Sequence, residues 1–205
     1  MLNDTWALAT AIPLILCSLI ALSLIFDRGF AVLGHRALGE NKHQEVSDLL
    51  KQGQIEQAKT TVSNFSKAYQ HAIGELNATS KLDKHLREEA LSLWLGRYTK
   101  QLRRRLSGLT TVATLAPMLG LLGTIVGLMR SFHDIGLSHG PVEPAIVADG
   151  LWQALSTTAA GMVIAVICVM CHALFQSRIR YHLSDVTDLL NQFTLSQEIH
   201  EVSHD

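Results

Sequence analysis

The chain has 205 residues, 48% hydrophobic and only 17% charged, with a formal net charge of −1. That balance gives no reason to expect nucleic-acid binding. The apolar residues are clumped rather than spread at core-like spacing, and mean hydropathy is positive, which excludes an ordinary soluble domain and points to membrane segments.

After a short segment 1–4, the first apolar stretch runs over residues 5–26 without a charge. A span needs roughly 20 residues, because ~1.5 Å per residue must cover a hydrocarbon core about 30 Å thick. A cleaved signal peptide does not fit. Met1-Leu2-Asn3-Asp4 is not a basic leader, the apolar run is too long, and Asp27-Arg28-Gly29 is no small-residue cleavage site. The stretch reads as an uncleaved anchor.

Residues 27–106 form a long polar loop with a helical pattern. Gln44 to Lys51 and Ile55 to Asn64 predict short helices joined at Gln52-Gly53-Gln54. From Lys81 to Arg105 there is no Pro, and Leu82, Leu86, Glu89, Leu93, Tyr98 and Leu102 recur near helical spacing. This segment is expected to run unbroken into the second span, as one rod below the membrane. The second apolar stretch covers residues 107–129 and the third 151–175, with a hairpin 130–150 between them and a tail 176–205 after them. The tail should continue the third helix, with Leu183, Val186, Leu190 and Phe193 on one face. Both extensions read as helix-pairing devices that set subunit spacing.

Positive charge predicts the orientation. The loop holds 14 of the 17 Lys and Arg residues, and those nearest the membrane weigh most. Arg28 and Arg36 follow the first span, and Arg103-Arg104-Arg105 precede the second. The N-terminus and hairpin are therefore expected outside, and the loop and tail inside. The fold class is an all-α membrane protein with three transmembrane helices and long cytoplasmic helical extensions.

The second and third spans carry the pattern of interest. Ala113, Ala116, Gly120, Gly123 and Gly127 form a small-residue stripe that lets another helix backbone approach closely. Beside it lie Thr110, Thr114, Pro117, Leu121, Thr124 and Leu128. In the third span Ala154, Thr158, Gly161, Ala165, Cys168 and His172 repeat the spacing, next to Gln153, Ser156 and Thr157. A lone Thr can satisfy its hydroxyl on the carbonyl one turn back. A Gln amide is harder to satisfy in hydrocarbon. Gln153, Thr157, Thr158 and Thr124 together suggest an uncharged polar lining near the outer half of a helix bundle.

Two motifs carry a resemblance. Residues 115–129, Leu-Ala-Pro-Met-Leu-Gly-Leu-Leu-Gly-Thr-Ile-Val-Gly-Leu-Met, followed by Phe132, resemble the second span of the MotA/TolQ/ExbB proton-channel family. Residues 150–162, Gly-Leu-Trp-Gln-Ala-Leu-Ser-Thr-Thr-Ala-Ala-Gly-Met, resemble its third. The likeness is greatest to the ExbB members. It implies a homopentamer in the bacterial inner membrane, around a pore holding the helices of an ExbD-, TolR- or MotB-like single-span partner whose membrane Asp cycles protons. In that picture Thr124 and Thr158 line the proton path, and energy passes to a TonB-like protein outside. The lack of Asp or Glu in these spans fits an acid supplied by the partner. ExbB proteins often carry Glu where this chain has Gln153, so a direct relay there is not expected.

The implied role is a transport subunit rather than an enzyme. A TolQ-like envelope motor subunit and a non-conducting membrane scaffold remain the alternatives. Cys168-Val169-Met170-Cys171-His172 matches the haem-attachment pattern Cys-x-x-Cys-His. Haem attachment needs an exposed outer segment, whereas this run lies inside a span. The residues read as packing groups, and no cofactor or metal is expected.

Overall fold

The computed structural model describes residues 5–34, 38–104, 106–137 and 144–202. The N-terminal segment 1–4, Arg36, Arg105, residues 138–143 of the hairpin and 203–205 of the tail lie outside the described residues. Every element among the described residues is an α-helix. They are α1 (Thr5–Gly34), α2 (Glu40–Lys51), α3 (Ile55–Ser63), α4 (Lys67–Thr79), α5 (Lys84–Arg104), α6 (Ser107–Leu137) and α7 (Pro144–Val202). Three helices are long and apolar enough to cross a membrane. Proline stands at the first position of α7, where its missing N–H costs nothing.

The helices overrun the apolar stretches. α1 continues to Gly34, α6 to Leu137, and α7 starts ahead of Leu151. Much of the expected outer hairpin is therefore helix end. The junction of the expected rod falls at Arg105, outside the described residues. α5 stops at Arg104 and α6 begins at Ser107, with the Leu106 carbonyl accepting the Leu109 and Thr110 N–H groups at 3.2 and 3.4 Å. Adjacent arginines repel one another, and Ser107-Gly108 has low helix propensity, so a helix start at this point is favoured.

The chain divides into two compact units. One comprises residues 1–29 and 105–175. Most of its apolar side chains point outward: Ile15, Leu19, Met118, Leu121, Met162 and Val166 are all more than half exposed. Such a surface requires lipid or other helices around it. Its small interior cluster joins Ala21, Val112 and Cys168, with Cys17, Ala113 and Ile164 packed alongside.

The other unit comprises residues 30–104 and 176–205, and has its own core. Val46 and Leu50 from α2, Ala58 and Val62 from α3, and Tyr69, Ala72, Ile73 and Leu76 from α4 pack with Leu91 of α5 and Val186, Leu189, Leu190 and Phe193 of α7. The loop and tail are thus a small helical domain, not merely an extension of the second and third spans. The tail face, read from sequence as a helix-pairing seam, is covered within the chain. The face of α5 also differs from expectation. Leu82, Leu86 and Leu93 are exposed, while Arg87 and Leu91 are buried. Trp94 and Tyr98 stack with centroids 5.3 Å apart, and both rings are half-buried. The α2–α3 connection stands as expected at Gly53, with φ of 76°. Gln54 N–H donates to Leu49 C=O and Gly53 N–H to Leu50 C=O, a Schellman closure that favours glycine.

A buried carboxylate ties this unit together. Asp185 of α7 accepts from the Leu38 N–H at 2.9 Å, from the Tyr69 hydroxyl and from the His43 ring. Burial, reinforced by the bond to Asp185, pushes the Tyr69 phenol up. His182 is 2% exposed and bonds the Tyr98 hydroxyl through Nε2 at 3.0 Å.

Asp185→Ala strands buried donors and should destabilise this unit by about 3 kcal/mol in denaturant unfolding of the solubilised chain. Asp188→Ala, at an exposed site, should stay within about 0.5 kcal/mol. Burial also pushes the Tyr98 phenol up to about 12. Its contribution is complete below about pH 10 and is lost as pH rises through the folded value. Absorbance titration of wild type against Tyr98→Phe checks this.

Candidate functional site

The site is built where α6 and α7 meet. Without a hydrophobic driving force in lipid, helices associate by close packing, which needs small residues at the contact. A Cβ added at Gly161 would stand 2.5 Å from the Ala116 carbonyl oxygen and 3.2 Å from the Gly120 Cα. One added at Gly120 would stand 3.0 Å from the Thr157 carbonyl oxygen and the Thr158 Cα. At Gly123 it would meet Thr157 Oγ1 at 2.6 Å, and at Gly127 the Ala154 Cβ at 2.9 Å. Ala116 and Ala154 are buried at the same contact. Ala113 turns toward the cluster shared with α1. At the end of α6 nearest the hairpin, Ser131 Oγ occupies the space a Cβ on Gly150 would need, and donates to the Gly127 carbonyl at 3.1 Å.

The hydroxyls divide into two groups. Thr111 and Thr114 bond carbonyls within α6, and Thr157 bonds Ala154 C=O at 2.7 Å within α7, with a longer contact of 3.5 Å to the Gly120 C=O of α6. Those are the local satisfactions expected of any membrane threonine. Thr124, which also lies 3.3 Å from the Gly120 carbonyl of its own helix, and Thr158 reach across. Thr158 Oγ1 donates to the Gly120 carbonyl of α6 at 2.9 Å. Thr124 Oγ1 lies 3.2 Å from the Ala154 carbonyl of α7 and also meets Thr158 Oγ1 directly. Both side chains are only half-buried, so the paired hydroxyls sit at the edge of the contact. Gln153 stands elsewhere. It is exposed on α7 and gives its backbone carbonyl to Ser156 Oγ at 2.8 Å. The structure thus brings Thr124, Thr158 and Thr157 together and leaves Gln153 on another face. Cys168 is fully buried among apolar neighbours.

Residues 56–187, well over half of the chain, match the MotA/TolQ/ExbB proton channel family. The chain belongs to that family. It is similar to the biopolymer transport protein exbB1 of Vibrio cholerae, with 33% identity over 75% of this chain and 69% of that protein. It resembles the ExbB of Pseudomonas putida at 28% identity, over 90% of this chain and 57% of the relative. The Tol-Pal system protein TolQ of Haemophilus influenzae is 31% identical over 51% of this chain and 46% of its own length. The chain is accordingly a multi-pass membrane protein of a channel family most like ExbB.

The matched region contains both spans that form the α6–α7 contact, and Tyr69 and Asp185, but not Leu38 or His43. Sequence reading missed the Ser131–Gly150 contact, although both residues are small and lie at facing ends of the two spans.

Gly161→Ala forces a methyl against backbone that cannot swing aside, and should lower stability by about 1–3 kcal/mol in a thermal unfolding assay of the solubilised chain. Gly136→Ala, with open space around its Cβ position, should be neutral or slightly stabilising. Equal melting of the two variants would contradict the packing described.

Proposed function

We propose that the chain is the proton-channel subunit of an inner-membrane energy-transducing motor of the ExbB kind. It works as a homopentamer with an ExbD-like single-span partner, and energises a TonB-like protein for outer-membrane transport. In this reading the N-terminus is periplasmic, the C-terminus is cytoplasmic, and α6 and α7 form the pore wall. The observation that carries it is the Thr124–Thr158 hydroxyl pair, held between the two helices by the Gly120 and Ala154 carbonyls.

The chemistry follows from what the spans contain. Residues 107–129 and 151–175 hold no Asp or Glu, so the titrating acid belongs to the partner. Paired hydroxyls beside that acid offer a donor and an acceptor without adding charge, which suits either of its protonation states. Protonation removes the partner's charge and lets its carboxyl face a less polar wall. One charge moved through 100 mV releases about 2.3 kcal/mol, and repeated cycles can turn or rock the partner inside the ring. Gln153 acts by orienting water or bonding the partner.

A TolQ-like role in envelope maintenance is the second reading, favoured by the likeness to the Haemophilus TolQ. A neighbouring TonB gene would support the ExbB role over it. A non-conducting scaffold is the third, and predicts that the hydroxyl pair is dispensable. Removing one hydroxyl by Thr158→Val costs about 1.4 kcal/mol or more at the transition state, hence at least about tenfold in partner-dependent proton flux. Flux in vesicles holding the chain and its partner measures this. Unchanged flux would remove the hydroxyl pair from the proton path.

A further inference from the structure

Six cations gather at the ends of α5 and α7 nearest the apolar stretches. Arg97, Lys100, Arg103 and Arg104 lie in the last eight residues of α5, and Arg178 and Arg180 follow the third apolar stretch on α7; all six are exposed. Elsewhere in the same unit, cations find carboxylates of the chain. Lys51 pairs with Asp48 at 3.5 Å and Lys59 with Glu56 at 2.8 Å. The six have no such neighbour in sequence, since residues 90–133 and 150–184 contain no Asp or Glu. The next acid along α7, Asp185, is buried and already accepts three donors.

One hydrogen bond sets the two groups level. The Tyr98 hydroxyl meets His182 Nε2 at 3.0 Å, and further along the same helices Leu91 and Leu95 line a groove with Thr187 and Leu190, so α5 and α7 run antiparallel. Arg104 lies six residues on from Tyr98, and Gln176 six residues back from His182, each about 9 Å along the axis. Arg103 and Arg104 are therefore level with Ser177 and Gln176, and Lys100 with Arg180. Arg104 is three residues short of Ser107, where the second apolar stretch begins, and Arg178 is three past Phe175, where the third ends. Three residues of helix, about 5 Å, is the depth of the lipid headgroups. Tyr181, one turn beyond Arg178 and 75% exposed, adds the amphipathic ring that this depth favours. A topogenic signal acts while the chain inserts. Uncompensated cations fixed at headgroup depth persist in the folded protein and attract the anions of the leaflet.

We propose that this basic belt binds anionic glycerophospholipids, of the phosphatidylglycerol or cardiolipin type, in the leaflet on its side of the membrane. The arginines take the headgroup phosphodiester, whose oxygens match the paired N–H donors of a guanidinium, and Lys100 adds a point charge. The proposal depends on the chain's being embedded in a membrane and not on proton conduction.

The test places the full chain in phosphatidylcholine vesicles with a trace of spin-labelled phosphatidylglycerol or spin-labelled phosphatidylcholine, and reads the fraction of each label immobilised at the protein. Wild type should hold the phosphatidylglycerol label several-fold over the other, and high salt should reduce that preference. Lys100→Gln with Arg103→Gln, or Arg178→Gln with Arg180→Gln, should each lower it at least about twofold. Lys51→Gln with Lys81→Gln should leave it unchanged. Both of those lysines are exposed and lie away from the belt: Lys81 precedes α5, and Leu50, beside Lys51, gives its carbonyl to Ser196 near the far end of α7. Phenylglyoxal, which caps exposed arginines, avoids any failure of a variant to insert; applied to reconstituted wild type, it should abolish most of the preference. No preference in wild type, an equal loss from the Lys51 and Lys81 pair, or a preference that survives phenylglyoxal would overturn the proposal.

Discussion

The membrane unit depends on the close approach of α6 and α7 at Gly120 and Gly161. With no side chain at either position, the Ala116 carbonyl and the Gly120 Cα come within contact of the α7 backbone. That approach has a chemical consequence. It brings the Gly120 carbonyl within reach of Thr158 and the Ala154 carbonyl within reach of Thr124, so two hydroxyls that could have been satisfied within their own helices join the two helices. Larger residues would push the helices apart and return each threonine to its own carbonyl. In this fold the glycines and the threonines form one device: the first set the spacing, the second use it.

A different constraint governs the other unit. Its helices are short, and none of α2 to α4 could hold its form alone in water. They are stabilised by a shared apolar core and by one buried carboxylate, Asp185, that accepts donors from α2, α4 and the segment before α2. A buried charge is tolerated only when its lone pairs are satisfied, and here three donors converge on it. Hydrophobic burial therefore supplies the driving force, while Asp185 fixes which helices meet.

Much of this was legible in the sequence, for identifiable reasons. The three spans announce themselves by length and apolarity, and the small-residue stripes by their alternating spacing, because both patterns are local. Gly53 was likewise marked as a turn. What escaped depends on tertiary partners. α4 was missed although Tyr69, Ala72, Ile73 and Leu76 recur at i, i+3, i+4 and i+7 after Ser66. On α5 the leucine row was more conspicuous than Arg87, yet the arginine turns inward with Leu91. Asp185 and His182 flank apolar tail positions, and nothing local distinguishes a buried acid from a solvated one. The spacing of Thr124 and Thr158 was visible, but their crossing hydrogen bonds were not, since each could have bonded locally.

In the proposed function the α6–α7 wall conducts protons only together with an acid it does not itself carry. Proton flux into vesicles under an imposed potential, with this chain alone and with an ExbD-like partner, tests this dependence. Flux is expected only when both are present, and should be lost when the partner's membrane Asp is replaced by Asn. Equal flux from this chain alone, or flux that survives loss of that Asp, would contradict it.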